Sequence, residues 1–278
     1  MNDSASNPDV VSVMLPTRGR FRKVIDSIES LNETASKPGF VEYILGLDAD
    51  DQETIEGLKK YRLKSGTLKL LVSRKRFGYH GLQHYWNAMA KEVAGCFVIC
   101  WNDDAIMTSD GWDDHIRRLA GLFVVLNPQV KNQLDYSEKF TLFPIIPRQW
   151  LTSIDRLVPH PGIDSWLDIV SKELGILINS PSIIIEHRRP GDFDVSEDQT
   201  SIDVNHSKRS HSVFGPEREK AELPLLVQYI KILTQAVARN YGSVENLKLV
   251  IKGAMMASSH YRPCTHAHGY PYKIDLDW

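Results

Sequence analysis

The sequence predicts an α/β fold, a mostly parallel sheet flanked by helices, on three observations. Four short apolar runs rich in β-forming residues recur in the first 120 residues, at 10–15, 41–47, 68–72 and 96–101. Each is followed by polar or glycine-bearing turn residues, and the stretches between carry apolar side chains at helical spacing. Strands alternating with helical patterns mark βα units and a sheet covered by helices. At 278 residues the chain can bury roughly 75% of the surface its unfolded form exposes, enough for one large α/β domain or two small ones.

Taken in order, residues 10–15 form the first strand, and Val24, Ile25, Ile28 and Leu31 follow at helical spacing. Residues 41–47 form the second, followed by Ile55, Leu58 and Leu63. Residues 68–72 form the third, followed by Leu82, Tyr85, Trp86 and Met89, and residues 96–101 form the fourth. After Leu126 the alternation stops, and residues 127–137 are polar enough to be a loop or linker. Residues 140–147 look extended and are interrupted by prolines; Ile163, Leu167, Val170 and Leu174 predict a helix over 164–174; residues 182–185 are a β-branched run. Residues 188–216 are polar and without a period, as in a long mobile loop or lid. Two helices, 223–237 and 244–256, precede an aromatic, proline-bearing tail. The chain thus divides into regions 1–126, 127–215 and 216–278.

Composition limits the function. With 33 Lys+Arg against 35 Asp+Glu the net charge is −2, so bulk charge advertises neither nucleic acid nor an anionic membrane as the main partner. Hydrophobic residues at 42% and charged residues at 24% are ordinary for a globular protein and exclude a disordered or collagen-like chain. Three cysteines cannot build a disulfide framework, and Cys96 and Cys100 lie within an apolar stretch as core residues. The polar start lacks the basic and apolar regions of a secretory signal, and no apolar run approaches the ~20 residues of a membrane span. The expectation is a soluble, cytoplasmic protein.

Open α/β sheets bind ligands at the carboxyl ends of their strands, so the candidates are sought there. Pro16-Thr17-Arg18-Gly19-Arg20 follows the first strand; amides at a helix start and two guanidinium groups suit a phosphate or a base, unless this is simply a basic turn. Asp48-Ala49-Asp50-Asp51 follows the second, where Asp51 reads as a helix cap and Asp48 as a ligand contact. Trp101-Asn102-Asp103-Asp104 follows the fourth, with Gly111-Trp112-Asp113-Asp114 beyond it. Adjacent carboxylates at the end of a buried strand repel one another, and a divalent cation bridging to phosphate offsets that cost. Hard oxygen ligands favour Mn²⁺ or Mg²⁺; a solvated turn of capping aspartates is the other reading.

With these motifs in order, the chain from Val10 to His187 resembles the GT-A type glycosyltransferases, particularly the family-2-like group. The resemblance implies a Rossmann-like sheet with a nucleotide-sugar-binding half over 1–126, an acceptor half over 127–215 and a helical extension over 216–278. Residues 11–20 look like the family's opening strand and nucleotide loop, Asp48 like its uracil-contacting aspartate, and Arg76-Phe77-Gly78 through Asn87-Ala88 like the stretch beneath the donor. Asn102-Asp103-Asp104 stands in place of the D-x-D motif, although its first carboxylate is replaced by Trp101 or Asn102. The resemblance implies a metal-dependent, inverting transfer from a nucleotide sugar, UDP-linked, to a hydroxyl acceptor. The acceptor would be a saccharide or, given Arg74-Lys75-Arg76 and Lys208-Arg209, a modified nucleic-acid base. Donor binding falls to Pro16, Thr17, Arg18, Arg20, Asp48, Arg76 and Asp103, and Mn²⁺ or Mg²⁺ to Asp104 and His187.

Asp164, eleven residues before Gly175, matches the family's general base; on its own chemistry it either takes a hydroxyl proton or caps the helix that follows. Asp168, one turn on, is the fallback base or a solvated helix residue, and Arg188 and Arg189 are within sequence reach of diphosphate oxygens or are plain surface charge. In the tail, His260, Cys264, His266 and His268 have metal-ligand chemistry on too short a segment to close a tetrahedron. Two further functions stand beside transfer: a nucleotidyltransferase, whose first loop would normally carry more glycines and a lysine, and a sugar-nucleotide-binding protein without catalysis.

Overall fold

The computed structural model describes residues 7–131, 141–188, 202, 216–256 and 260–263. Nine strands among them form one sheet, β1 (Asn7–Pro16), β2 (Val41–Asp48), β3 (Thr67–Ser73), β4 (Gly95–Cys100), β5 (Ala105–Met107), β6 (Val125–Val130), β7 (Ile145–Pro147), β8 (Leu177–His187) and β9 (Arg262–Pro263). Their order is β3-β2-β1-β4-β7-β6-β8-β5, with β9 on β8. The first four pair in parallel and β6 pairs in parallel with β8; β7, β5 and β9 run antiparallel to their neighbours.

β2 and β4 are buried along their whole lengths, which is why they read as apolar runs, interrupted in β2 only by Glu42, which accepts from the Ser12 hydroxyl, and ended by Asp48. Helices α1 (Phe21–Thr34), α2 (Gln52–Lys60) and α3 (Leu82–Met89) connect the parallel strands. α1 buries Val24, Ser27, Ile28, Leu31 and Asn32, the 3–4 spacing of a single face. Each such aliphatic side chain withdrawn from water contributes about 1.5–3 kcal/mol. The chain leaves β1 towards β2 and β3 on one side and returns to β4 on the other, so a topological switch point lies between the carboxyl ends of β1 and β4.

Beyond β4 the chain adds α4 (Trp112–Arg117), α5 (Arg148–Ser153), α6 (Ile163–Glu173), α7 (Pro216–Tyr241) and α8 (Val244–Met256). Here three expectations are corrected. Residues 127–130 are not a linker but the end of β6: Asn127 Nδ2 donates to Asn179 Oδ1 across the ladder (3.0 Å), so its polarity is spent inside the sheet. The helix expected over 223–237 runs from Pro216 to Tyr241 and accommodates Pro224. Asp168 is not solvated: only 2% exposed, it accepts from the Thr141 amide (3.1 Å) and hydroxyl (2.9 Å) and from Lys172 Nζ (2.7 Å). The rest of the polar stretch, residues 189–201 and 203–215, and Cys264, His266 and His268 lie outside the described residues. Cys96 and Cys100 are buried free thiols.

Candidate active site

At the switch point the loops after β1 and β4 are joined side chain to side chain. Thr17 Oγ1 donates to Asp103 Oδ2 (2.6 Å), and Arg20 Nη1 pairs with Asp103 Oδ1 (2.8 Å). Asp103 is 6% exposed, and burial pushes its carboxyl above the usual range, opposed by Arg20 and aided by the neighbouring charge of Asp104. Both Asp103 oxygens are therefore engaged by the β1 loop, while the Asp104 side chain beside it is 15% exposed.

Asp104 is fixed through backbone and side chain together. β5 pairs antiparallel with β8, with Ala105 opposite His187, and the Arg188 amide donates to the Asp104 carbonyl (2.8 Å). This register brings His187 Nε2 to 3.0 Å from Asp104 Oδ1. The imidazole is buried, its edge against the Phe143 ring at 5.0 Å between centroids, and Phe143 in turn lies against Trp101 at 5.3 Å. Behind the site Ser27 of α1 accepts from Trp101 Nε1 (2.6 Å) and donates to the Ala105 carbonyl (2.7 Å), which pins the turn carrying both aspartates.

The β2 end supplies a second cluster. Asp48 is buried, accepting from the Tyr85 hydroxyl at one oxygen and from Arg18 Nη1 (3.0 Å) at the other. Tyr85 also accepts from the Phe77 amide (3.2 Å), and burial, with the bond to Asp48, pushes its hydroxyl up to about 12. Arg18 reaches on to Asp50, engaging both its oxygens; that bond first and the Asp48 charge after it hold the guanidinium above its ordinary value. Asp50 is held below the usual carboxylate range by Arg18, with a smaller contribution from Arg76, so Arg76 shares this corner. Asp51 caps α2 as expected, accepting from the Thr54 amide (3.4 Å), and it also accepts from the Gly19 amide (2.7 Å). Gly19 has φ +64°, a left-handed conformation that turns its N–H towards α2 at no steric cost.

Asp164 is the second residue of α6 and Gly162, not Asp164, is its N-cap, so Asp164 serves the helix start only through a first-turn amide. Its carboxylate accepts from the Ser165 amide (2.8 Å) and lies close enough to Cys100, at the end of β4, to reinforce the upward push that burial gives that thiol. Asp164 therefore faces the same end of the sheet as Asp103. Arg188 folds back on Glu186 (Nε to Oε1, 2.7 Å) rather than towards the aspartates. Asp113 is fully buried and structural, accepting from the amides of Ser36 (2.7 Å) and Lys37 (2.9 Å) and from Arg117. Of the expected site residues, Pro16, Thr17, Arg18, Arg20, Asp48, Asp103, Asp104, Asp164 and His187 thus gather at the carboxyl ends of β1, β2 and β4, with Arg76 at the rim. Tyr85 and Ser27 were not singled out; each sits at a helix-core position where spacing marks burial but not the hydroxyl's partner.

No family model and no curated protein matches the sequence. The fold, however, matches solved structures along nearly its whole length. The mannosyltransferase PcManGT from Pyrobaculum calidifontis, in complex with GDP-Man and Mn²⁺, superposes with a TM-score of 0.55 at 14% identity, over 92% of this chain and 83% of that one. The chain has the GT-A glycosyltransferase fold. S. aureus TarS 1–349 shares it with a TM-score of 0.51 at 14% identity, over 90% of this chain and 92% of that one. The same TarS fragment in complex with UDP-GlcNAc gives 0.54 at 17% identity, over 84% and 73%. At such identities the shared property is the GT-A fold itself, and the clusters above lie at the carboxyl ends of its parallel strands. Among the described residues no group of three or more His, Cys, Asp or Glu side chains converges as a closed metal cage, and no helix is long and apolar enough to cross a membrane.

Proposed function

We propose that this chain is a glycosyltransferase that moves a sugar from a UDP-linked donor to the hydroxyl of a saccharide acceptor, with inversion, in the cytoplasm. One observation carries the reading: the Asp104–His187 pair stands beside the Thr17–Asp103–Arg20 knot at the switch point of a GT-A fold. The buried free thiols support a reducing compartment. The donor sets out the charge problem: its diphosphate carries two negative charges, breaking the bond to the anomeric carbon leaves a third on the departing nucleoside diphosphate, and the site offers cations and a cation site.

The pair fits Mn²⁺ or Mg²⁺. His187 Nε2 and Asp104 Oδ1, which hydrogen-bond to each other at 3.0 Å, are the atoms that would hold the ion. The Asp104 carboxylate is the hard oxygen donor such ions favour, His187 would add one nitrogen, and water and substrate phosphates would supply the remaining ligands. When bound, the ion supplies neutralisation of charge on the departing diphosphate.

The chain's own residues do the rest. Thr17 and Arg20 hold Asp103 in place, which keeps the β1 loop and the β4 turn in register for the donor. Arg18, held by Asp48 and Asp50, and Arg76 beside it offer guanidinium donors to the nucleotide. Asp164 accepts the acceptor hydroxyl's proton at its carboxylate as that oxygen attacks the anomeric carbon.

The test is Asp104→Asn, followed by thermal shift with UDP and Mn²⁺ and by nucleotide release from UDP-, GDP- and dTDP-sugars. The parent should be stabilised by UDP only with Mn²⁺ present, and the variant should lose both the shift and turnover. Equal UDP affinity and turnover in parent and variant would falsify the cation assignment. Release of pyrophosphate in place of a nucleoside diphosphate would instead identify a nucleotidyltransferase.

A further inference from the structure

The segment leading into α6 is held from two sides. On the donor side Asn87 of α3 accepts from the amides of Leu157 (2.7 Å) and Val158 (3.2 Å) and donates to the Val158 carbonyl (2.8 Å). On the other side α7 contributes the Tyr229 hydroxyl, which donates to the Arg156 carbonyl (2.6 Å). The Tyr229 ring meets Trp166 of α6 edge-on at 5.1 Å between centroids.

Between these clamps lies His160, 8% exposed, its ring perpendicular to Trp166 at 5.6 Å. Its Nδ1 accepts from the Gly162 amide (3.1 Å), and its Nε2 faces Glu222 Oε2 of α7 at 3.5 Å. A ring nitrogen that accepts carries no proton, so the proton resides on Nε2, the nitrogen beside the Glu222 carboxylate. Gly162 is the N-cap of α6 and brings no side chain of its own. The N–H that His160 takes is the one a capping-box glutamate would take, so the imidazole stands in for that glutamate.

We propose that His160 is a positioning residue for Asp164, and that Glu222 ties this function to the C-terminal helix. Glu222 keeps the imidazole proton on Nε2, Nδ1 holds the Gly162 N–H, and the first turn of α6, with Asp164 as its second residue, is fixed against the end of β4. The inference rests on Asp164 as the proton acceptor. A base must sit within hydrogen-bond reach of its proton, and a misplacement of about 1 Å can cost on the order of 100-fold in rate.

The experiment measures nucleoside diphosphate release from UDP-GlcNAc with Mn²⁺, and from GDP- and dTDP-sugars if one of these is the better donor, using the full chain. His160→Ala should lower kcat by about 10- to 100-fold and leave the donor KM nearly unchanged. His160→Asn, whose Oδ1 can occupy the place of Nδ1, should restore most of kcat, while His160→Gln should not. Glu222→Gln should lower kcat in the same direction, and it carries the test should His160→Ala fail to fold. In an Asp164→Asn background His160→Ala should cause no further fall. An unchanged kcat in His160→Ala, an equal further fall in the Asp164→Asn background, or no rescue by His160→Asn overturns the positioning role alone. If Asp164→Asn leaves the parent's kcat intact, or the parent releases no nucleoside diphosphate at all, the functional reading fails and the positioning role fails with it.

Discussion

Replacing Arg20 with Met tests whether the Thr17–Asp103–Arg20 knot is a buried structural element of the cleft or a surface ion pair. The Arg20 and Asp103 side chains are 11% and 7% exposed and 2.8 Å apart. Removing one partner of a buried pair costs about 3–5 kcal/mol, because the remaining charge stays desolvated. Thr17 still donates to the other Asp103 oxygen at 2.6 Å, which places the expected loss near the lower end, about 3 kcal/mol. At about 2–4 °C per kcal/mol for a chain of this size, Arg20→Met should lower Tm by roughly 6–12 °C. Chemical denaturation gives the loss, and the double variant Arg20→Met/Asp103→Asn isolates its cause. With the carboxylate neutralised, most of the loss should be recovered, since the cost lies in Asp103's unpaired charge. A loss below about 1 kcal/mol, the value of an exposed pair, or no recovery in the double variant, would refute the reasoning.

Three further outcomes follow from the same geometry. Tyr85→Phe removes the bonds to Asp48 and from the Phe77 amide and should cost about 1–3 kcal/mol. The raised hydroxyl also carries a pH signature. Its folded value lies above the unfolded one near 10, so its contribution is fully present below pH 10 and is lost as pH rises from there through about 12. Denaturation in that window should show a smaller decline in Tyr85→Phe than in the parent; parallel declines would count against it. Gly95→Ala would set a Cβ 2.6 Å from Ser12 Oγ and 2.7 Å from the Val10 carbonyl, so it should destabilise by about 1–3 kcal/mol, read by urea midpoint. Asp168→Ala leaves the buried Thr141 amide and Lys172 without their acceptor; Tm should fall by several degrees with donor KM unchanged, whereas a selective loss of turnover would restore Asp168 as a base candidate.

In the parallel half, β2 and β4 were legible because both are buried along their whole lengths and, Glu42 apart, carry an apolar run, and their loops fall where an open sheet binds ligands. β6 was hidden by Asn127 and Pro128, since the asparagine finds its partner on another strand fifty residues away in sequence. β5, three residues long, carries no period at all, yet its pairing with β8 is what brings Asp104 to His187. Asp168 misled for the same reason as Asn127: an aspartate at a helical position looks solvated until the acceptor's partners, Thr141 and Lys172, are in view. For the site, residue type and place after a strand were enough to nominate Asp48, Asp103 and Asp104, whereas Asp164, at a helix start, was nominated by the family resemblance. What they could not convey is the division of labour between the adjacent aspartates, which depends on Arg20 and Thr17 reaching across from β1.

The β5–β8 ladder bears on how this cleft tolerates change. Asp104 and His187 are neighbours by strand register, and the ladder closes at the Arg188 amide. Residues added or removed after Arg188 therefore do not alter which side chains meet at the pair, whereas a single deletion within Ala105–Met107 would shift the register and present Glu186 where His187 now stands. Length variation is insulated from chemistry on one side of that amide and lethal to it on the other.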